Sequence, residues 1–196
     1  MIRFVSAGIG GALGMRKRPD GVSRKDTAYL AFGKAMANWA LLELFHWFQR
    51  VTFLKLPQAR RVFYANKNFA ARAEMLREVL PESGLEAPEV AVIEAVVKRA
   101  AGFCTFRNSL AHGEVTFEGI VDPRYEYEEA LARGYAVADI ETAANQFLAL
   151  AEISRQAHAI ATDDGAALIL QDYLDGHRPS LETLLQRVLA LPKNLP

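Results

Sequence analysis

The sequence has little of what disulfide-linked, metal-binding or membrane-spanning proteins require. Its single cysteine, Cys104, cannot form an intramolecular disulfide and lies among apolar residues, which favours an inert buried thiol. The four histidines are scattered, and no Cys/His cluster has the spacing of metal ligands. No apolar run reaches the roughly 20 residues of a transmembrane helix, because charged side chains interrupt the nearest candidate, residues 39–54. We therefore expect no metal, no cofactor and no membrane span.

Net charge is also lacking, because 23 basic residues balance 23 acidic ones. Half of the chain is apolar, and 196 residues suffice to bury one sizeable core. We predict a flexible N-terminal tail over residues 1–25, a helical domain over residues 26–162, and a C-terminal helical extension over residues 163–196 that packs on the same domain.

The N-terminal segment does not have the order of a secretory signal. Residues 2–15 are rich in glycine and mildly apolar, and the basic residues 16–18 follow them. A signal peptide places its charges before the apolar core, so we expect a cytoplasmic protein. The glycines do not form GxGxxG, and no GKS or GKT follows, so a phosphate-binding loop is not predicted.

Helical periodicity dominates the rest of the chain and predicts an all-α fold. The first helix is predicted over residues 26–54, with Asp26 or Thr27 as its N-cap and Pro57 beyond its end. It is apolar on nearly every side, so we expect its own domain and a second copy of the chain to bury it. The other predicted helices cover residues 61–80, 88–112, 139–162, 165–174 and 180–191. After Gly113, alternating apolar and polar residues predict a short β-hairpin or an extended loop.

The end of the helix over residues 88–112 carries side chains suited to phosphate chemistry. Asn108 and His112 are neighbours at i and i+4, and the long guanidinium of Arg107 can swing toward the same helix end. Histidine exchanges protons near neutral pH, and the planar donors of arginine match a phosphate. This set fits phosphodiester cleavage without a metal. The alternative is an ordinary helix end, with a surface arginine, a C-terminal histidine and a terminating glycine at Gly113.

The segment RNSLAHG, at the end of this apolar helix, resembles the motif of the HEPN superfamily of all-α domains. The family's arginine falls on Arg107, its polar follower on Asn108 and its histidine on His112. The resemblance covers about residues 27–162 and implies a bundle of four to six helices. It also implies a metal-independent endoribonuclease of a defence, toxin–antitoxin or RNA-processing system. Two subunits would then bring their motifs into one composite cleft, with an antitoxin or a nucleotidyltransferase as a further partner.

Family members commonly carry a glutamate in an earlier helix, and Glu43 is the residue that could match it. The resemblance implies a supporting role for this carboxylate near the motif. The alternative is a structural ion pair along the predicted first helix, with His46 or Arg50.

Charge is unevenly distributed along the chain. Residues 50–77 contain seven basic residues and one acidic residue, with four aromatic residues interleaved. Such a segment can follow phosphates and stack unpaired bases, so Arg60, Arg61 and Lys67 are candidate RNA-binding residues. The alternative is a solvated helix face that pairs with the acidic segment over residues 118–141.

Three classes of function follow from these features. The first is a homodimeric RNase in which His112 transfers the proton, Arg107 stabilises the phosphate and Asn108 positions His112 or the phosphate. The second is a non-catalytic module that binds nucleotide, RNA or a partner protein through the same pocket. The third is a structural dimerisation domain.

Overall fold

The computed structural model describes residues 23–42, 44–116, 118–126, 128–129, 134–162 and 179–195. Of the tail predicted over residues 1–25, residues 1–22 lie outside the described residues, as do the helix predicted over residues 165–174 and Glu43. The last residues of that predicted tail are instead helical, because Ser23 caps a helix that begins at Arg24. The helices are α1 (Arg24–Ala40), α2 (Phe45–Thr52), α3 (Leu56–Phe63), α4 (Phe69–Val79), α5 (Ala87–His112), α6 (Val137–Thr162) and α7 (Leu181–Ala190). The strands are β1 (Glu114–Val115), β2 (Gly119–Val121) and β3 (Tyr135–Ala136). The chain is mostly helical, as predicted.

The long helix α5 lies at the centre of the bundle. It packs on α4, α6 and α7, while α1 packs chiefly along α6. The apolar residues of α5 recur at three- and four-residue steps and are fully buried, namely Val92, Ile93, Val96, Val97, Ala100, Phe103 and Leu110. Among the described residues, none of the helices combines the length and the apolar character needed to cross a membrane.

The single first helix predicted over residues 26–54 is wrong, because the chain forms two helices there. Helix α1 ends at Ala40, and α2 begins at Phe45. Leu42 and Leu44, which lie between the two helices, are 5% and 2% exposed. A single straight helix over residues 26–54 would carry apolar side chains on opposite faces, and one small bundle could not cover both faces. The break turns both sets of apolar side chains into the same core.

The boundaries predicted for the second helix, residues 61–80, are also wrong. Helix α3 begins before Pro57, which lies in its first turn, where a proline costs no helical hydrogen bond. After α3 ends at Phe63, Asn68 starts α4 by accepting a hydrogen bond from the Ala71 N–H at 2.7 Å. A short 3-10 turn, Leu80–Glu82, follows α4.

The predicted helix over residues 88–112 and the predicted hairpin are confirmed. Helix α5 ends at His112, and β1, β2 and β3 form an antiparallel sheet in that order. Within this sheet, Ile120 lies opposite Val115 on β1 and Tyr135 on β3. A β-carbon at position 113 would overlap Cγ2 of Ile120, so glycine at this position allows β2 to pack closely on the helix end.

The C-terminal helix α7 packs mainly on α5, and it also contacts α6. It begins as predicted at Ser180, whose hydroxyl accepts a hydrogen bond from the Thr183 N–H at 3.1 Å. Near its end, the Leu189 carbonyl accepts a hydrogen bond from Arg99 of α5 at 3.3 Å. Because Arg99 is only 8% exposed, its charge lies inside the bundle, where the last turn of α7 contributes carbonyl oxygens.

Candidate functional site

The candidate site lies on the last two turns of α5. Phe106 and Leu110 point into the core and are 3% and 0% exposed. The helical repeat then places Asn108 and His112 on the outer face and Arg107 at its edge, about 140° around the helix axis from His112. Arg107 is half-buried, and Asn108 and His112 are exposed. The three predicted catalytic residues therefore lie at one helix end, with Arg107 apart from the face that Asn108 and His112 share.

Within this set, the side chain of Asn108 contacts Arg107. The Arg107 Nη1 donates a hydrogen bond to Asn108 Oδ1 at 3.1 Å, and Asn108 Nδ2 donates to Cys104 Sγ at 3.6 Å. The amide thus connects the guanidinium to the preceding turn of the helix. Arg107 Nε is buried and has no acceptor among the described residues. The guanidinium therefore keeps a donor whose hydrogen bond is unmade, which is costly in a buried group.

A cleft of about 460 Å³ opens beside these residues, between α5, α4 and the loop before α4. We call it the basic cleft. It is lined by Trp39, Lys67, Asn68, Phe69, Ala70, Arg72, Cys104, Arg107, Asn108 and His112. Every charged side chain among these described lining residues is basic. Because like charges are concentrated in a concave surface, the cleft should attract an anion such as a phosphate.

The predicted RNA-binding residues are divided between two places. Lys67 lines the basic cleft, whereas Arg60 and Arg61 are exposed on α3 and are not among its lining residues. The Arg60 guanidinium lies over the Phe45 ring at 5.9 Å. Arg72, which sequence reasoning did not single out within the basic segment, lines the cleft instead. The sequence signal that could have identified Arg72 is its position one helical turn after Asn68, the N-cap of α4.

Arg72 is held in place by aromatic rings. Its guanidinium lies 5.6 Å from the ring centres of both Phe63 and Tyr64. Such cation–π contacts orient a long side chain without neutralising its charge. Arg72 therefore presents a fixed positive charge to the basic cleft.

A second, smaller cavity of about 300 Å³ adjoins the basic cleft, and we call it the apolar pocket. It is lined by Met36, Trp39, Ala40, Leu42, Leu44, Phe63, Phe69, Arg72 and Arg107. Trp39, Phe69, Arg72 and Arg107 belong to both cavities. The two arginines therefore line both cavities, and seven apolar residues form the rest of the lining that gives the apolar pocket its name.

On its other side, His112 borders a third cavity, which we call the hairpin cleft. This cleft has a volume of about 780 Å³ and lies between the end of α5 and the small sheet. Asn108 and His112 line it together with Asp122, Arg124 and other residues. Asp122 and Arg124 form an ion pair there, and this contact raises the pKa of Arg124. His112 thus stands on the ridge between a basic cleft and one whose charges are paired.

The predicted supporting residue, Glu43, lies outside the described residues, so its contacts with the motif are not described. Its neighbours Leu42 and Leu44 line the apolar pocket beside Arg107. Arg50, the alternative partner considered for Glu43, forms an ion pair with Glu89 of α5 at 2.7 Å. This carboxylate was not foreseen because it is 39 residues distant in sequence.

Two other histidines lie together at a different place. The rings of His46 and His158 are 5.6 Å apart, and His158 packs edge-on against Trp47 at 5.1 Å. Across the described ranges, no three His, Cys, Asp or Glu side chains are grouped in a way that could hold a metal ion.

Comparisons with protein-family models, with curated proteins and with solved structures find no match to this chain. The resemblance to the HEPN superfamily therefore depends on the RNSLAHG motif and its position at the end of a long buried helix.

Proposed function

We propose that the protein is a metal-independent endoribonuclease of the HEPN type. The observation that supports this best is that His112 and Arg107 line one cleft with Lys67 and Arg72. An exposed imidazole can transfer protons near neutral pH, and three permanent cations can bind a phosphodiester and stabilise the charge that develops on it.

The proposed reaction is an internal transfer within the RNA. The 2′-oxygen of a ribose attacks the adjacent phosphorus, so that the O2′–phosphorus bond forms and the phosphorus–O5′ bond breaks. His112 accepts the proton of the 2′-hydroxyl as the O2′–phosphorus bond forms, and the protonated imidazole then donates a proton to the departing O5′. Arg107, oriented by Asn108, stabilises the charged phosphorane oxygens. The products are a 2′,3′-cyclic phosphate and a 5′-hydroxyl.

The test is cleavage of a varied pool of single-stranded RNA in the presence of EDTA. We expect 2′,3′-cyclic phosphate ends and no cleavage of DNA, which lacks the attacking hydroxyl. His112→Ala should reduce the rate by about 100-fold or more, because general acid–base groups commonly contribute about 10²–10⁴. The matched control is His46→Ala, an exposed histidine outside the basic cleft. A folded protein that cleaves no RNA, or a fully active His112→Ala variant, would contradict the proposal.

A second subunit would complete this site. One chain contributes one histidine to the basic cleft, whereas the reaction moves two protons, so we propose a homodimer in which two motifs share one cleft. The apolar faces of the predicted first helix argue less strongly for a dimer than the sequence suggests, because the chain itself buries Leu44, Phe45, Phe48 and Val51. Exposed apolar side chains do remain on α1, where Tyr29 and Leu30 are 50% and 67% exposed. Sedimentation at micromolar concentration tests the dimer, and a strict monomer would contradict it.

The competing function is a binding module that holds RNA or nucleotide without cutting it. The single histidine of the basic cleft favours this alternative if the chain acts alone. A protein that binds the same RNA pool in a titration but does not cleave it would support this alternative. An antitoxin or a nucleotidyltransferase as a further partner stays a prediction, and co-purification with the product of a neighbouring gene would test it.

A further inference from the structure

We infer that the apolar pocket beside Arg107 is a nucleobase subsite, which holds the base of a nucleotide whose phosphate lies in the basic cleft. The inference rests on the proposed function, because it assigns the occupant of a cavity that adjoins the same site. It identifies the substrate as single-stranded, since a base must leave its stack and its pairing partner to enter a pocket.

The size and the lining of the pocket suit a flat aromatic ring. Its volume of about 300 Å³ lies at the lower end of the range of ligand pockets, which is roughly 300–1,000 Å³. Trp39 and Phe69 form adjoining walls, with ring centres 4.9 Å apart and planes tilted by 56°. Met36 contributes a polarisable thioether to the same lining. Such walls bind the face and the edge of a base with little dependence on its hydrogen-bonding groups.

The walls of the pocket are already in place in the free chain. Trp39 is 7% exposed and its ring also contacts Phe147 at 5.1 Å, so packing in the core fixes its position. Phe63, at 1% exposure, is equally fixed. Little conformational entropy is therefore lost when a ligand enters, and preorganisation of this kind favours binding.

The position of the arginines distinguishes a nucleotide from a purely apolar ligand. Arg72 and Arg107 line both the apolar pocket and the basic cleft. A ligand that fills both cavities would therefore place an apolar group among the apolar residues and an anion beside the basic ones, a short linker apart, which a nucleotide does. An apolar side chain of a partner protein would fill the pocket alone and would leave Lys67 and His112 of the basic cleft uncontacted.

The test uses Trp39 as its reporter. The chain has two tryptophans, and Trp47, which is 1% exposed, lies outside the pocket. In a Trp47→Phe background, each of the four nucleoside 5′-monophosphates and ribose 5-phosphate is titrated. We expect at least one nucleotide to quench Trp39 fluorescence and to bind about tenfold more tightly than ribose 5-phosphate, because stacking contributes a factor of this order. Calorimetry on the unmodified chain gives the same comparison if the background variant folds poorly.

Two matched variants locate the binding. Ala40 is exposed and lines the pocket, so Ala40→Leu should fill the cavity without disturbing the core and should abolish the preference for the nucleotide. Ala37, exposed on the same helix outside the pocket lining, gives the control Ala37→Leu, which should bind like the parent protein. Affinity for ribose 5-phosphate should stay the same in both variants.

The outcomes separate this inference from the proposed function. If RNA is cleaved but Ala40→Leu leaves KM and nucleotide affinity unchanged, the subsite is overturned and the nuclease stands. If no nucleotide binds more tightly than ribose 5-phosphate, the subsite is likewise overturned. If nucleotides bind and depend on Ala40 but no RNA is cleaved, the subsite is supported in a protein that binds without cutting.

Discussion

The charged side chains at the two ends of α5 differ in their hydrogen-bond partners. At the beginning, Glu89 accepts hydrogen bonds from Arg50 of α2 at 2.7 Å and from the Glu86 backbone at 3.0 Å. At the end, the Arg107 guanidinium donates one hydrogen bond among the described residues, to Asn108, the next residue in the chain, and its Nε has no acceptor among them. The first arrangement joins two helices, and the second leaves donor capacity beside an open cleft.

This contrast separates side chains that hold the fold from those available to a ligand. A charge that is buried and paired across elements is expensive to remove, because its partner is left without compensation. A charge that faces a cleft and contacts only its own helix contributes little to folding. We therefore expect the beginning of α5 to control stability and its end to control binding and catalysis.

The largest effect is expected from Glu89→Ala. The side chain of Glu89 is 10% exposed, and its loss removes both the ion pair with Arg50 and the hydrogen bond from the Glu86 N–H at the start of α5. The free energy of unfolding should fall by about 3 kcal/mol, as measured by urea denaturation. The control is Glu94→Ala, an exposed glutamate on the same helix, which should change stability by less than about 0.5 kcal/mol. Equal losses of unfolding free energy in Glu89→Ala and Glu94→Ala would contradict the stabilising role assigned to the beginning of α5.

The next effect concerns the other end of the helix. Arg107→Lys should slow RNA cleavage by about 100-fold while RNA affinity stays nearly constant, because an ammonium group cannot reproduce the planar fork of donors. Its stability should stay within about 1 kcal/mol of the parent chain. Single-turnover rates and urea denaturation measure the two quantities. A variant that is unstable but fully active would assign Arg107 to the fold instead.

A smaller effect distinguishes the basic residues that line the cleft from those that do not. Lys67→Ala and Arg72→Ala should each reduce the slope of log affinity against log salt by about 0.7, the value for one phosphate contact in single-stranded nucleic acid. Arg60→Ala and Arg61→Ala, on the exposed face of α3, serve as controls and should change the slope less. Equal changes in all four variants would extend the RNA-binding surface over α3.

The smallest effect belongs to the exposed cap of α1. Hydrogen bonds with Ser23 lower the pKa of Asp26 below its ordinary value of 3.8. The ionised form therefore stabilises the fold above the unfolded pKa, and this contribution is lost as pH falls through the folded pKa. The difference in unfolding free energy between the parent chain and Asp26→Asn should shrink from about pH 6 to about pH 3. A difference independent of pH would contradict the role of the carboxylate charge.

The sequence predicted the position of the motif helix better than the course of the chain around it. Pro88 and Gly113 mark the ends of α5, and its buried stripe is regular enough to define its phase. The break between the end of α1 at Ala40 and the start of α2 at Phe45 has no glycine or proline in the sequence to mark it, because it arises from burial of two apolar faces in one core. Pro57 in the sequence predicts the end of a helix, but a proline fits a first turn equally well, and that is where it lies.

The composition of the candidate site was predictable only in part. Arg107, Asn108 and His112 are near one another in sequence, so helical geometry alone brings them to one helix end. Lys67 and Arg72 reach the same cleft only through the packing of α4 on α5, which local patterns do not encode. The same limitation explains why Arg60 and Arg61 could not be distinguished from Arg72 within one basic segment.

The most direct test of the RNA-binding site proposed at the end of α5 is an NMR titration of the histidine side chains with a single-stranded 2′-O-methyl RNA, whose 2′-oxygen cannot attack the phosphate. We predict that the imidazole signals of His112 move with added RNA, while those of His46 and His158 stay in place because their rings lie together outside the basic cleft. Movement of the His46 and His158 signals with an unchanged His112 would contradict the account.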